Sequence, residues 1–108
     1  MGTISLKDFQ NIDIRIGKVL HAEKVEGTQK LIRLEIDFGT ETRQVVTGMA
    51  EFFEPSYFIG KEIPVIVNLE TKVVKGIESQ GMILAVDGEG HPVLLHPEKE
   101  VPPGSMVR

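Results

Sequence analysis

The sequence predicts an all-β domain: a small, closed, five-stranded Greek-key barrel with a short helix in front of it. Three observations carry this. Apolar residues alternate with polar ones, the period of a half-buried strand, through Ile12, Ile14 and Ile16 and again through Ile32, Leu34, Ile36 and Phe38. Glycine-containing turns punctuate the chain at short intervals. One aromatic cluster, around Pro55, interrupts the strands after the third. The chain has 108 residues, 41% of them hydrophobic and 26% charged, which predicts one globular domain over residues 1–108.

The elements follow in order. Ser5-x-x-Asp8 is a capping box with Asp in place of Glu, and Leu6, Phe9 and Ile12 recur every three residues. This predicts a helix that ends near Asn11. The alternation from Ile12 continues through Leu20 and Ala22, with Gly17 inside it, so one long first strand is expected to bend or bulge at the glycine. Glu26-Gly27-Thr28 turns into the second strand, and Phe38-Gly39-Thr40-Glu41 into a third at Thr42–Thr47 that ends at Gly48. Phe52, Phe53, Tyr57 and Phe58 suggest a helical turn plugging one end of the barrel. Strands are expected at Ile63–Leu69 and Gly81–Val86. Asp87-Gly88-Glu89-Gly90 is a hairpin signal leading into Val93-Leu94-Leu95, and Met106-Val107 forms a short closing strand. An OB-fold has this order of elements, and such barrels use one face for oligonucleotides.

Several chemistries are excluded. The absence of cysteine removes disulfides, thiolate metal sites and a cysteine nucleophile. His21, His91 and His96 lack metal-ligand spacing, and Ser79, His96 and Asp87 come without a nucleophile elbow. Gly76–Gly81 has neither P-loop nor dinucleotide-binding spacing. The expectation is a non-enzyme with no metal and no cofactor. The N-terminus shows no secretory leader, and apolar runs such as Val65-Ile66-Val67 are too short for a bilayer, so a cytoplasmic protein is expected, without membrane association.

Net charge is −4, unlike a general nucleic-acid coat. It is unevenly spread: residues 1–50 carry seven basic and seven acidic side chains, residues 51–108 five and nine. Within that balance Lys30, Arg33, Arg43, Lys72 and Lys75 fall at strand starts and in the loop after the fourth strand, where a barrel can gather them on one edge. Lysines there would neutralise phosphates. Asn68 can bond phosphate, ribose or a base edge, Ser79 offers a donor and an acceptor, and Met82 offers a soft surface for an unstacked base. Each has a plainer use: solvated strand ends for the cations, turn bonding for Asn68, capping for Ser79 and core packing for Met82.

Together these residues resemble a known family. Asp8-Phe9 followed by Asp13-Ile14-Arg15-Ile16-Gly17-Lys18-Val19 is similar to the opening signature of the tRNA-binding domain family. Val25–Leu31, Thr42–Gly48, Pro55 with Ile59-Gly60-Lys61, Asn68-Leu69 and Gly76–Leu84 resemble its later motifs, in the family's order. The resemblance implies an OB-fold with an N-terminal helix and a C-terminal extension that builds a homodimer. It implies binding of tRNA by shape, without base-sequence readout, in support of methionyl-tRNA synthetase. It nominates Lys30, Asn68, Lys72, Lys75, Ser79 and Met82 for contact, and charge placement adds Arg33 and Arg43. After Asn68-Leu69 the family pattern is a residue, then Pro, then two basic residues; here Glu70-Thr71-Lys72-Val73 lacks the proline and one charge. That departure, with the acidic second half, leaves an alternative: a secretion-related, chaperone-like module that binds unfolded polypeptide.

Overall fold

A computed structural model describes all 108 residues. The Ser5 side chain accepts the Asp8 N–H at 3.0 Å, so the capping box starts helix α1 (Leu6–Phe9). None of that helix is buried.

Strand β1 (Ile14–Lys24) is the spine of the molecule. Its second half pairs with β2 (Ile32–Asp37), which pairs with β3 (Thr42–Thr47). Its first half pairs with β4 (Glu62–Ile66), and β4 with β7 (Met82–Ile83). The antiparallel path β3-β2-β1-β4-β7 has the expected five strands, and β10 (Met106–Val107) adds a sixth beside Ile14 and Arg15. Two hairpins stand off the path: β5 (Lys72–Val74) with β6 (Ile77–Ser79), and β8 (Ala85–Asp87) with β9 (Pro92–Leu94). No helix is long and apolar enough to cross a membrane.

The first strand is long, as expected, but its irregularity lies between Val19 and His21 rather than at Gly17. The inward set therefore runs Ile14, Ile16, Val19, Ala22, and Leu20 is half exposed. Gly17 is needed for another reason: a Cβ there would collide with the Ile36 and Phe38 side chains. The fourth strand stops at Ile66, short of Leu69. Val67 N–H still reaches the Asp13 carbonyl at 2.9 Å, one residue beyond the Ile14–Ile66 pair. The segment expected as one strand from Gly81 is divided at Leu84, whose N–H goes to the Pro64 carbonyl.

Pro64 occupies a strand paired on both sides without leaving a ladder bond unmade on the β1 side. Ile16, opposite it, donates to the Ser105 carbonyl and accepts from Gly104 N–H instead. This C-terminal turn packs on the turn after β2, where Gly39 and Gly104, both at positive φ, let the two backbones meet. The core centres on Ile32, Leu34, Ile36, Ile63, Val65 and Phe58, all fully buried. Phe58 belongs to a 3-10 helix at Pro55–Phe58, so one aromatic of the predicted cluster is the plug. Tyr57 and Phe52 remain about half exposed, and Phe53 stacks on Tyr57 at 5.0 Å.

The path curls until β3 faces the segment between β6 and β7, and the two meet without a regular ladder. Gln80 N–H donates to the Gln44 carbonyl at 2.8 Å. Val46 N–H donates to Ser79 Oγ at 3.0 Å, and Gln44 N–H to Gln80 Oε1 at 3.1 Å. Gln44 Nε2 reaches the Glu78 carbonyl at 2.8 Å. Side chains thus satisfy edge groups that a neighbouring strand would satisfy elsewhere. Ser79→Ala removes the acceptor for Val46 N–H and is expected to cost about 1–3 kcal/mol. The check is a lowered urea midpoint at unchanged m-value.

Candidate functional site

The seam creates a groove of about 320 Å³ between the end of β3 and the β5–β6 hairpin. Thr47 lines one side, Lys72 and Ser79 the other, with Leu69, Glu70 and Met82 also on its walls. Cross-strand pairing explains the hairpin's contribution. Lys72 lies opposite Ser79 and Val74 opposite Ile77, so these share one face. Val73 and Glu78 share the other, where Val73 is 63% exposed.

Of the residues nominated from the sequence, the groove brings together Lys72, Ser79 and Met82. They differ in availability. Met82 is 48% exposed and Lys72 is exposed, whereas Ser79 is buried, its hydroxyl accepting from Val46 and donating to the Gly81 carbonyl at 3.2 Å. Lys75 is exposed at the hairpin tip. Lys30 lies beside the end of β3: its carbonyl accepts Ala50 N–H, and Ile32 pairs with Thr47. Its ammonium is 4.0 Å from Glu51 and well exposed.

The other three nominated side chains are tied into the fold. Asn68 Oδ1 accepts Asp13 N–H at 2.9 Å and Nδ2 donates to the Asn11 carbonyl at 2.7 Å, clamping the entry to β1. Arg33 forks onto Glu23 at 2.9 and 2.7 Å and reaches Gln44 Oε1 at 3.2 Å. Arg43 forks onto Glu41 and donates to the Val67 and Gln80 carbonyls, beside the groove rather than in it. These pairs stay ionised: the Arg33 hydrogen bond, then its charge, holds the Glu23 carboxyl below its usual value. Arg43 does the same to Glu41, with a smaller contribution from the Arg15 charge.

Sequence reasoning did not single out Thr47 or Glu70. Thr47 was visible as the residue before the glycine that ends the third strand. Glu70 puts a carboxylate beside the lysine, so the groove is amphiphilic rather than purely cationic. Among the histidines, His96 Nδ1 lies 2.9 Å from the Glu62 carbonyl and His21 Nε2 3.7 Å from Glu23.

Lys75 and Gly76 both have positive φ, 51° and 79°, the geometry of a tight two-residue hairpin turn. Glycine takes this conformation freely, whereas lysine is strained in it. Lys75→Asn, which suits the turn better, is expected to raise stability by about 0.5–1 kcal/mol. Paired urea titrations against the wild type measure this.

Comparison with known proteins places this geometry in context. A family model described as "Putative tRNA binding domain" matches residues 14–106. A methionine–tRNA ligase of Archaeoglobus fulgidus is 54% identical over 104 residues, 96% of this chain and 16% of that protein. The methionine–tRNA ligase of Thermotoga maritima is 48% identical over the same share of each. The chain therefore spans about 16% of the length of these ligases. A MetRS related protein from Pyrococcus horikoshii shares the fold with a TM-score of 0.96 at 38% identity, both chains covered completely. The chaperone CsaA of Bacillus anthracis gives 0.90 at 36%, over 99% of this chain and all of that one.

Proposed function

The chain belongs to the tRNA-binding domain family, and on that premise we propose that residues 1–108 form one cytoplasmic domain that binds tRNA by the shape of its backbone. The observation that carries this is the groove beside the seam, with Lys72 and Met82 on its walls and Lys30 and Lys75 near its ends. The ammonium groups contact phosphates, which hold the RNA in register without reporting base identity. Met82 and Leu69 receive a sugar or an unstacked base. Asn68, Ser79 and Arg33 serve through the backbone they hold in place. The domain binds and positions; no bond is made or broken and no cofactor takes part. The ligase relatives support methionyl-tRNA synthetase as the enzyme assisted, and the MetRS related protein of Pyrococcus horikoshii, whose whole length this chain covers, supports assistance in trans.

Filter binding of unfractionated tRNA over a salt series is the direct test. Log affinity is expected to fall linearly with log salt. Lys72→Ala and Lys75→Ala should each weaken all tRNAs about equally and lower the slope by about one. Undetectable binding at low ionic strength, or binding indifferent to salt, overturns the reading.

The working unit in this proposal is a homodimer joined through the chain ends. Leu6, Phe9, Ile12, Met106 and Val107 line one apolar groove, and Leu6 is 71% and Met106 49% exposed. An apolar patch at this place is the kind of surface a second copy covers. Two linked grooves then hold one folded RNA at high effective concentration. In sedimentation equilibrium the wild type should weigh twice 12.0 kDa. Met106→Asp, at an exposed side chain, should shift the mass towards the monomer without changing the circular-dichroism spectrum.

One observation favours a second reading. The exposed apolar side chains Leu69 and Met82 line a groove that also holds Glu70, a combination that suits a basic unfolded polypeptide. The name of the Bacillus anthracis relative, a chaperone, points the same way. Capture of such a peptide that tRNA does not displace would replace RNA by polypeptide as the ligand.

A further inference from the structure

A second pocket, of about 210 Å³, opens where the starts of β1 and β3 meet the end of β4. Asp13, Arg15, Thr40, Glu41 and Arg43 line it above Phe38. Both guanidinium groups are braced from behind. Arg15 donates Nε and an amino group to Asp13 at 3.0 and 3.3 Å, and its other amino group to the Gly104 carbonyl at 3.3 Å. Arg43 makes the same fork on Glu41 at 2.8 and 3.4 Å, and its other amino group serves the Val67 and Gln80 carbonyls. A guanidinium has five N–H donors. Three are engaged on Arg15 and four on Arg43, so each retains donor capacity.

We infer that this Arg15–Arg43 pocket is a subsite for a phosphate of the RNA backbone, continuous with the groove beside the seam; the inference rests on the tRNA-binding reading above. Continuity is set by the chain. Val67 lines the pocket while Leu69, two residues on, lines the groove. Gln80, whose carbonyl receives Arg43, stands between Ser79 and Gly81, which both line the groove. Along β3 the two sites are joined by the four steps from Arg43 to Thr47, roughly 13 Å of extended chain.

The chemistry selects phosphate. Planar guanidinium forks match its oxygens, and bracing has already removed most of the side-chain freedom that binding would otherwise cost. Asp13 and Glu41 offset the two positive charges, so the pocket exerts little pull at a distance. It therefore acts as a subsite for a phosphate already tethered to an RNA held in the groove, rather than as a trap for free anions. Arg15, to which neither strand alternation nor loop charge drew notice, becomes a contact residue.

Thr40 is exposed at the rim of the pocket and makes no side-chain hydrogen bond to the barrel, so charge can be introduced there without disturbing the braces. The test is filter binding of unfractionated tRNA at 0.15 M salt, where screening confines an added charge to about 8 Å. Thr40→Glu should lower affinity about three- to tenfold and Thr40→Lys should raise it by a similar factor, with the salt slope moving by about one in opposite directions. Arg15→Lys, which keeps the charge but loses the fork, should also weaken binding several-fold, with melting temperatures used to confirm that each variant is folded. Wild-type binding with both Thr40 variants within twofold of it overturns the subsite and leaves the groove standing. Failure of the wild type to bind tRNA at all overturns both.

Discussion

Val46 gives its N–H to a side chain, the Ser79 hydroxyl, where a strand edge would ordinarily meet another strand. The whole surface architecture follows from that substitution. Because β3 and the 78–81 segment meet through Ser79, Gln80, Gln44 and Arg43, they can diverge on either side of the meeting point. On one side the divergence leaves the groove with Lys72 and Met82; on the other it leaves the pocket with Arg15 and Arg43. A continuous ladder would have brought the strands to about 5 Å throughout and closed both. The polar seam therefore makes the barrel while keeping the groove and the pocket open.

The features legible in the sequence are those decided by near neighbours. The Ser5 cap works over three residues, and the alternation of β2 needs only one buried and one wet face. The aromatic plug was readable as an interruption, though not which ring would fill the core. What stayed hidden depends on residues far along the chain. Asn68 is occupied by Asn11 and Asp13, 57 and 55 positions away, and Ser79 by Val46, 33 away. A polar side chain at such a place reads equally well as a ligand contact or as a structural bond until its partner is known. The lysines were easier, because a cation with no partner has to end in water. The β5–β6 hairpin was harder to see, because Lys75 stands where asparagine would have signalled the turn.

The acidic balance of the chain fits a surface that works by touch. With a net charge of −4, long-range attraction of a polyanion is weak. In the proposed function, recognition then rests on a few cations held close to the ligand and on geometry set by the seam. On the proposed reading, such a surface would discriminate by whether a backbone can lie along groove and pocket together. On the proposed reading, Glu70 and the arginine-bound carboxylates would discourage loose, misregistered binding.

Leu6 and Arg108 line the same apolar depression, so the two ends of the polypeptide emerge side by side. Neither end contributes a residue to the groove or to the guanidinium pocket. A larger polypeptide attached before the helix or after the final strand would hang from the same corner of the barrel. The attachment point and the groove with its guanidinium pocket thus lie on separate parts of the barrel surface.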